Sequence, residues 1–274
     1  MLGFEIGIVE TRNVIRLINE LYHYDFSDFA LTSFKRRLEN IISLYNLKLT
    51  DNLISRLRED KAFFDIFLHD IMVEPTEMFR DPSLWRLLRD EYLSQISKNN
   101  AHFKIWFPIA VSGEELFSLL ILLKEMGLEE NYEIIVSYFS KKSENIIKSG
   151  RIKSEKIEVS KENYTRFLGT SNFEEYYNIK DNAYYFKEEL YKNVAFIQQD
   201  LTFENFPKSF DLIFFRNQML YYNQGLQDKI LDFLIESLSY NGYLVAGIRE
   251  KLILADSRKY LRVADAIENI YQKK

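Results

Sequence analysis

Past the polar stretch SKNN at residues 97–100, the chain alternates short apolar runs with amphipathic helical segments: FKIWFPIA, EELFSLLILLKEMG, YEIIVSYF and SENIIKSG. Strands that alternate with helices pair in parallel, so this texture predicts a βαβα unit and a parallel sheet. The alternation continues with NVAFIQQDL and FDLIFF as strands, then a helix carrying Leu226, Ile230, Leu234 and Leu238 at four-residue steps. A strand YLVAGI follows, announced by Asn241-Gly242, and the final IENIYQK reads as an edge strand. Before residue 96 the period is helical instead. Val14, Ile15, Ile18 and Leu21 recur at helix spacing, as do Phe34, Leu38, Ile41 and Ile42. Thr50 or Asp51 caps a third helix, KAFFDIFLHDIM forms a fourth, and Asp81 before Pro82 supplies an N-cap and an N1 proline for a fifth.

The expected organisation is therefore an all-helical domain over 1–95 and an α/β domain over 96–274. Within the second, residues of about 155–192 are dense in Tyr and Phe among polar residues and follow neither period. They read as an inserted subdomain.

Composition narrows the function. Nine glycines and four prolines in 274 residues favour long helices over loop-rich designs. The absence of cysteine removes disulfides, thiol nucleophiles and Fe–S clusters, and His23, His69 and His102 lack metal-ligand spacing, so no metal is expected. A formal charge of −5 opposes general nucleic-acid binding, which needs a dominant cationic surface. With no run of about 18 apolar residues and no basic leader, the chain reads as cytoplasmic and not membrane-spanning.

Three segments carry candidate chemistry. Ser112-Gly113-Glu114-Glu115 sits where the first strand meets its helix. A glycine there lets a cofactor approach the backbone, but Ser112 with Glu115 is also a capping box that any helix could use. In Thr76-Glu77-Met78-Phe79-Arg80-Asp81, Arg80 either offers its fork to a carboxylate or is an ordinary surface arginine. The segment from Phe210 to Tyr222 runs from an apolar strand into Arg216-Asn217-Gln218 and paired tyrosines, as a pocket wall or as core. The cluster Lys35-Arg36-Arg37 reads as a solvated helix face, or as a docking patch for an acidic partner.

In this order the segments FKRRLENI, TEMFRDPSLW, SGEELFSLLILL, FDLIFFRNQMLYYN and GYLVAG resemble the chemotaxis receptor methyltransferase (CheR) family over most of the chain. The resemblance implies a Rossmann-like S-adenosylmethionine methyltransferase domain behind the helical one. It also implies methyl transfer to glutamates on the cytoplasmic domain of a chemoreceptor. Thr76 and Arg80 would meet the cofactor's amino-acid end, with Arg80 and Tyr221 beside the methyl-transfer centre. Glu114 or Glu115, Asp200, Leu201, Asn217 and Gln218 would complete the cofactor contacts. A glutamate carboxylate, with an ordinary pKa of about 4.3, is already anionic at neutral pH and needs neither triad nor metal to attack a sulfonium methyl. Alignment supplies most of the catalysis.

Departures from the family pattern fall on the cofactor side. Ile109 stands where the family carries glycine or alanine. Tyr138 stands at the end of the second strand, where the family places a ribose-binding aspartate, and Glu133 lies at the wrong end of that strand to replace it. Glu74 and Asp200 replace two asparagines. Ile109 and Tyr138 motivate a second reading, a receptor-binding or scaffolding module that has kept the fold and lost S-adenosylmethionine.

Overall fold

A computed structural model describes residues 5–72, 76–199, 208–252 and 260–274. Helices α1 (Ile8–Tyr22), α2 (Leu31–Leu44), α3 (Thr50–Glu59) and α4 (Lys61–Met72) form the N-terminal unit. They pack through Val14, Ile18, Phe34, Leu38, Leu53, Leu57, Phe63 and Phe67, all essentially inaccessible, which is the outcome expected of a single apolar stripe on each helix. Helix α5 (Pro82–Leu87) runs through one π turn into α6 (Leu93–Asn99).

Among the described residues, seven strands form one sheet: β1 (Phe103–Phe107), β2 (Tyr132–Tyr138), β6 (Val194–Gln198), β7 (Phe210–Phe215), β8 (Leu238–Ala246), β9 (Leu261–Asp265) and β10 (Ile270–Lys273). The order is β6-β2-β1-β7-β8-β10-β9, parallel as far as β8, with β10 antiparallel to both its neighbours. Helices α7 (Glu114–Glu125), α8 (Lys141–Lys148) and α10 (Gln224–Ser237) make the crossovers. The fold is α/β and Rossmann-like behind an all-helical unit. A three-stranded sheet, β3 (Arg151–Ile152), β5 (Ala183–Phe186) and β4 (Tyr177–Lys180), is inserted between β2 and β6 together with α9 (Ile157–Phe167).

The central strands are apolar on both faces because both faces are covered. Trp106 on β1 is fully buried, and its indole N–H donates to Ser137 Oγ on β2 at 2.9 Å, so the polar end of a large core residue is satisfied. On the other face Phe214 stacks on both Trp85 and Phe107, pinning α5 to the middle of the sheet.

Several local expectations are corrected. The terminal segment is no edge strand: β10 lies between β8 and β9, and β9 takes the edge. Arg262 and Asp265 break the apolar pattern of β9, which hid it. Leu238 continues the i+4 stripe in sequence, yet its backbone is extended (ψ 142°) and opens β8. Asn241-Gly242 lies inside β8 rather than before it. Asn241 is left-handed (φ 64°) at a shift in the β7–β8 register, and a Cβ on Gly242 would sit 2.7 Å from the Phe210 carbonyl oxygen. Helix α3 is capped by Leu49, with neither Thr50 nor Asp51 at the cap position.

The helical unit meets the sheet domain along α4 and α8. Both carboxylate oxygens of Asp65 accept from the backbone N–H groups of Lys141 and Lys142, at 2.7 and 2.9 Å, which complements the N-terminus of α8. Beside this contact the buried His69 lies 2.9 Å from Ser143 Oγ. Burial, reinforced by the Lys142 charge, lowers its pKa from 6.5 to about 4. The folded state therefore holds a neutral imidazole. The stability this contributes is complete above pH 6.5 and is lost as pH falls towards about 4. A His69→Gln variant should show a flatter dependence of urea midpoint on pH across that window than the parent, and parallel curves would contradict the assignment.

Candidate active site

In an open α/β sheet, ligands bind beyond the carboxyl ends of the strands where the strand order reverses. Here that point lies between β1 and β7. A narrow cleft of about 50 Å³ opens there, walled by Phe107 and Ile109–Ser112 after β1, Glu115 and Leu116 of α7, Arg216–Gln218 after β7, and Thr76 and Arg80 from the segment before α5. Of the residues singled out from sequence, the cleft gathers Thr76, Arg80, Ile109, Glu115, Asn217 and Gln218. Glu74, Asp200 and Leu201 lie outside the described residues.

One guanidinium joins the three segments. Arg216, its side chain 1% exposed, donates from Nη2 to Asp81 Oδ2 and from Nη1 to Glu115 Oε1, each at 2.5 Å. This overturns the capping box at Ser112, while the expected N-cap at Asp81 with its N1 proline is present. The N-cap of α7 is Gly113 without a side-chain bond, and Asp81 is the N-cap of α5 by position only. Both carboxylates are drawn to a charge more than a hundred residues away, which no local pattern announces.

Arg80 sits between two left-handed residues, Phe79 (φ 53°) and Asp81 (φ 58°), and Asn217 is a third (φ 58°). For a bulky residue such as Phe this region costs about 1–3 kcal/mol and needs support from outside the loop. The support is visible. The Phe79 N–H donates to Ser118 Oγ at 2.8 Å, Met78 N–H to Ser160 Oγ at 3.3 Å, and Asn163 Nδ2 to the Met78 carbonyl at 3.1 Å. The Phe79 ring packs against Trp85, Tyr164 and Phe167, and the Trp85 indole N–H donates to the Arg80 carbonyl at 2.9 Å. Sequence reasoning missed Ser118, Ser160 and Asn163 because nothing distinguishes them from other polar residues on α7 and α9.

The two glutamates of the first turn separate. Glu115 faces the cleft, while Glu114 lines a larger cavity of about 950 Å³ between α4, α8 and the inserted sheet. Burial pushes the Glu114 carboxyl above its ordinary range, against a hydrogen bond from Ser112. Tyr138 is buried at the end of β2 and its hydroxyl is already engaged, accepting from Lys141 Nζ at 3.0 Å and bonding Glu144. Although burial opposes it, donation from Lys141, Lys148 and Tyr138 holds the Glu144 carboxyl down at about 2.

Tyr221 belongs to a turn that is tied to the helical unit. The Ala30 N–H donates to the Tyr221 carbonyl and Asn223 N–H to the Asp28 carbonyl, both at 2.8 Å, and Phe29 bridges to Tyr222. The Arg37 guanidinium lies 3.8 Å over the Tyr221 ring. The basic cluster on α2 is therefore not one solvated face. Lys35 pairs with Glu5, Arg37 stacks on Tyr221, and Arg36 alone of the three is exposed.

Residues 74–267 match the family described as CheR methyltransferase, SAM binding domain. The chain belongs to the CheR methyltransferase family. It is 30% identical over 244 residues to a Pseudomonas putida protein that carries the name methyltransferase Cher3, with 89% of each chain covered. Chemotaxis protein methyltransferase 1 of Vibrio cholerae is 27% identical over the whole of both chains. The chemotaxis protein methyltransferase of Listeria monocytogenes is 22% identical over 87% of this chain and 88% of its own.

The CheR-family ligand, S-adenosylmethionine, offers an ammonium and ribose hydroxyls as donors and a carboxylate as acceptor. In the cleft, Gln218 Oε1 is a buried acceptor and Arg216 Nε a buried donor, both without partners among the described residues. An orphaned buried polar atom costs about 1–3 kcal/mol, so its pairing by a ligand is favourable. The chemistry of these groups fits the amino-acid end. At the end of β2 the Tyr138 hydroxyl is already bonded to Lys141. Among the described residues no cluster of three or more histidine and carboxylate groups could hold a metal, and no helix is long and apolar enough to cross a membrane.

Proposed function

We propose that this chain transfers the methyl group of S-adenosylmethionine to glutamate carboxylates on the cytoplasmic domain of a chemoreceptor, in the cytoplasm. The supporting observation is that Thr76, Arg80, Glu115, Asn217 and Gln218, contributed by three separated segments, share one cleft at the reversal of strand order. S-adenosylmethionine supplies a methyl group made electrophilic by its sulfonium. Thr76 and Arg80 bind the carboxylate of its amino-acid end, and Arg80 also faces the acceptor. Asn217, Gln218 and Glu115 line the remainder of the site, with Tyr221 beside the reacting centre. An acceptor glutamate, anionic at neutral pH, loses no proton in the reaction, so the residues have only to align two reactants and keep water out.

Tyr138 favours a second reading. With its hydroxyl given to Lys141 and Glu144, and with Ile109 in the cleft wall, a chain of this kind could bind receptors without turning over. Calorimetry with S-adenosylmethionine and its demethylated product separates the two. Saturable binding at micromolar ligand is expected, lost in Arg80→Ala. No heat at millimolar ligand would overturn the enzymatic reading in favour of a receptor-binding module.

A further inference from the structure

Glu250 follows β8 and is 4% exposed, yet no charged side chain pairs with it among the described residues. Its carboxylate is surrounded by backbone N–H groups instead. Oε2 accepts from Asn217 N at 2.5 Å and from Gly247 N at 2.9 Å, while Oε1 accepts from Met219 N at 2.7 Å. The Leu220 N–H adds to the set. These donors belong to two chain segments. The first, 217–220, leads from the cleft wall into the turn that carries Tyr221. The second is the tight turn 247–250, closed by Glu250 N–H on the Gly247 carbonyl at 2.8 Å.

The second segment is itself anchored. Asn269 Nδ2 donates to the carbonyls of Gly247 and Ile248, at 2.9 and 3.0 Å, from the loop before β10. Close packing leaves no slack between the segments: a Cβ on Gly247 would lie 2.7 Å from Asn217 Oδ1 and 2.9 Å from Asn217 N. A left-handed Asn217 would otherwise leave the N–H groups of 217, 219 and 220 pointing inward without acceptors. A concave row of backbone N–H groups is an anion-binding shape, and here the protein fills it with its own carboxylate.

We infer that Glu250 is a positioning residue whose carboxylate fixes the 217–221 segment, and with it Asn217, Gln218 and Tyr221, against the rest of the cleft. Its geometric role stands without any ligand; its effect on binding rests on the function proposed above. Glutamine is the informative substitution. One amide oxygen can serve one side of the nest, but the NH₂ group must then face a backbone N–H, leaving donors opposed and unsatisfied.

The test is hydrogen exchange on Glu250→Gln, read by peptide mass spectrometry, with binding of the demethylated cofactor product measured alongside. Exchange of the 216–223 peptide should accelerate about tenfold or more while α1–α4 keep their protection. Product affinity should fall about tenfold, as expected for displaced contact groups. Glu250→Asp, which keeps the charge, should lie between parent and Gln, and it carries the test if the Gln variant does not fold. Unchanged exchange at 216–223 in a folded Gln variant overturns the inference. So does an equal loss of product affinity in Tyr22→Phe, a variant that loses the hydrogen bond to the Leu57 carbonyl inside the helical unit. If the parent binds no product, the proposed function fails, and the exchange result still decides the role of Glu250.

Discussion

Arg216→Met is expected to lower the unfolding free energy by about 3 kcal/mol, towards the lower end of the range for breaking a buried ion pair by removing one partner. The substitution preserves most of the apolar stem but leaves Asp81 and Glu115 facing each other without the cation that each contacts at 2.5 Å. Asp81 and Glu115 are 24% and 22% exposed, so water relieves part of the penalty. Arg216→Lys should recover little of it, because one ammonium cannot reproduce a fork that serves two carboxylates from separate nitrogens. Adding Asp81→Asn and Glu115→Gln to the Met variant should restore part of the loss, since the repulsion is then removed. Urea unfolding at constant m-value reads all of these. A loss below about 1 kcal/mol in Arg216→Met would mean that the ion triad behaves as a surface pair.

The second large effect concerns the end of β2. Tyr138→Asp should tighten S-adenosylmethionine binding by about tenfold or more, because a carboxylate there adds one or two charge-assisted hydrogen bonds worth about 1.5–3 kcal/mol each. Two opposing terms keep the gain below the sum. The new carboxylate stands near Glu144, and removing the phenol ring opens a buried space where Tyr138 was 3% exposed. Lys141, which now donates to the Tyr138 hydroxyl at 3.0 Å, can turn to the introduced carboxylate and offset the first term. Calorimetry on both proteins reads the change. Unchanged or weaker binding would show that residue 138 does not face the ribose and that the pocket has been rebuilt around its aromatic ring.

Much of the architecture was legible because burial writes itself into residue type. The apolar runs of β1, β2 and β7 and the helical stripes of α1, α2 and α10 follow from which faces meet water. Where a polar residue could serve either a local or a distant partner, local reasoning chose the local one. Ser112 with Glu115, and Asp81 before Pro82, have the spacing of helix caps, and the cap energy of about 1 kcal/mol is outbid by a buried guanidinium. The same limit concealed Glu250, which lies 31 and 33 residues from the Met219 and Asn217 N–H groups it binds. It also misplaced β10, since strand neighbours are set by pairing, not by an individual strand's pattern.

By itself, then, the sequence determined the core strands and their crossover helices, the parallel core, and which residue types stand at the strand ends where a methyltransferase cleft forms. Tertiary structure alone decided which charges meet. Arg216 bolts three segments into one wall, Glu250 seats the turn that carries Tyr221, and Tyr138 turns its hydroxyl to Lys141 and Glu144. The reason is physical. Apolar burial depends on composition and period along the chain, whereas a charge in a low-dielectric interior takes whichever partner the fold brings within hydrogen-bond distance.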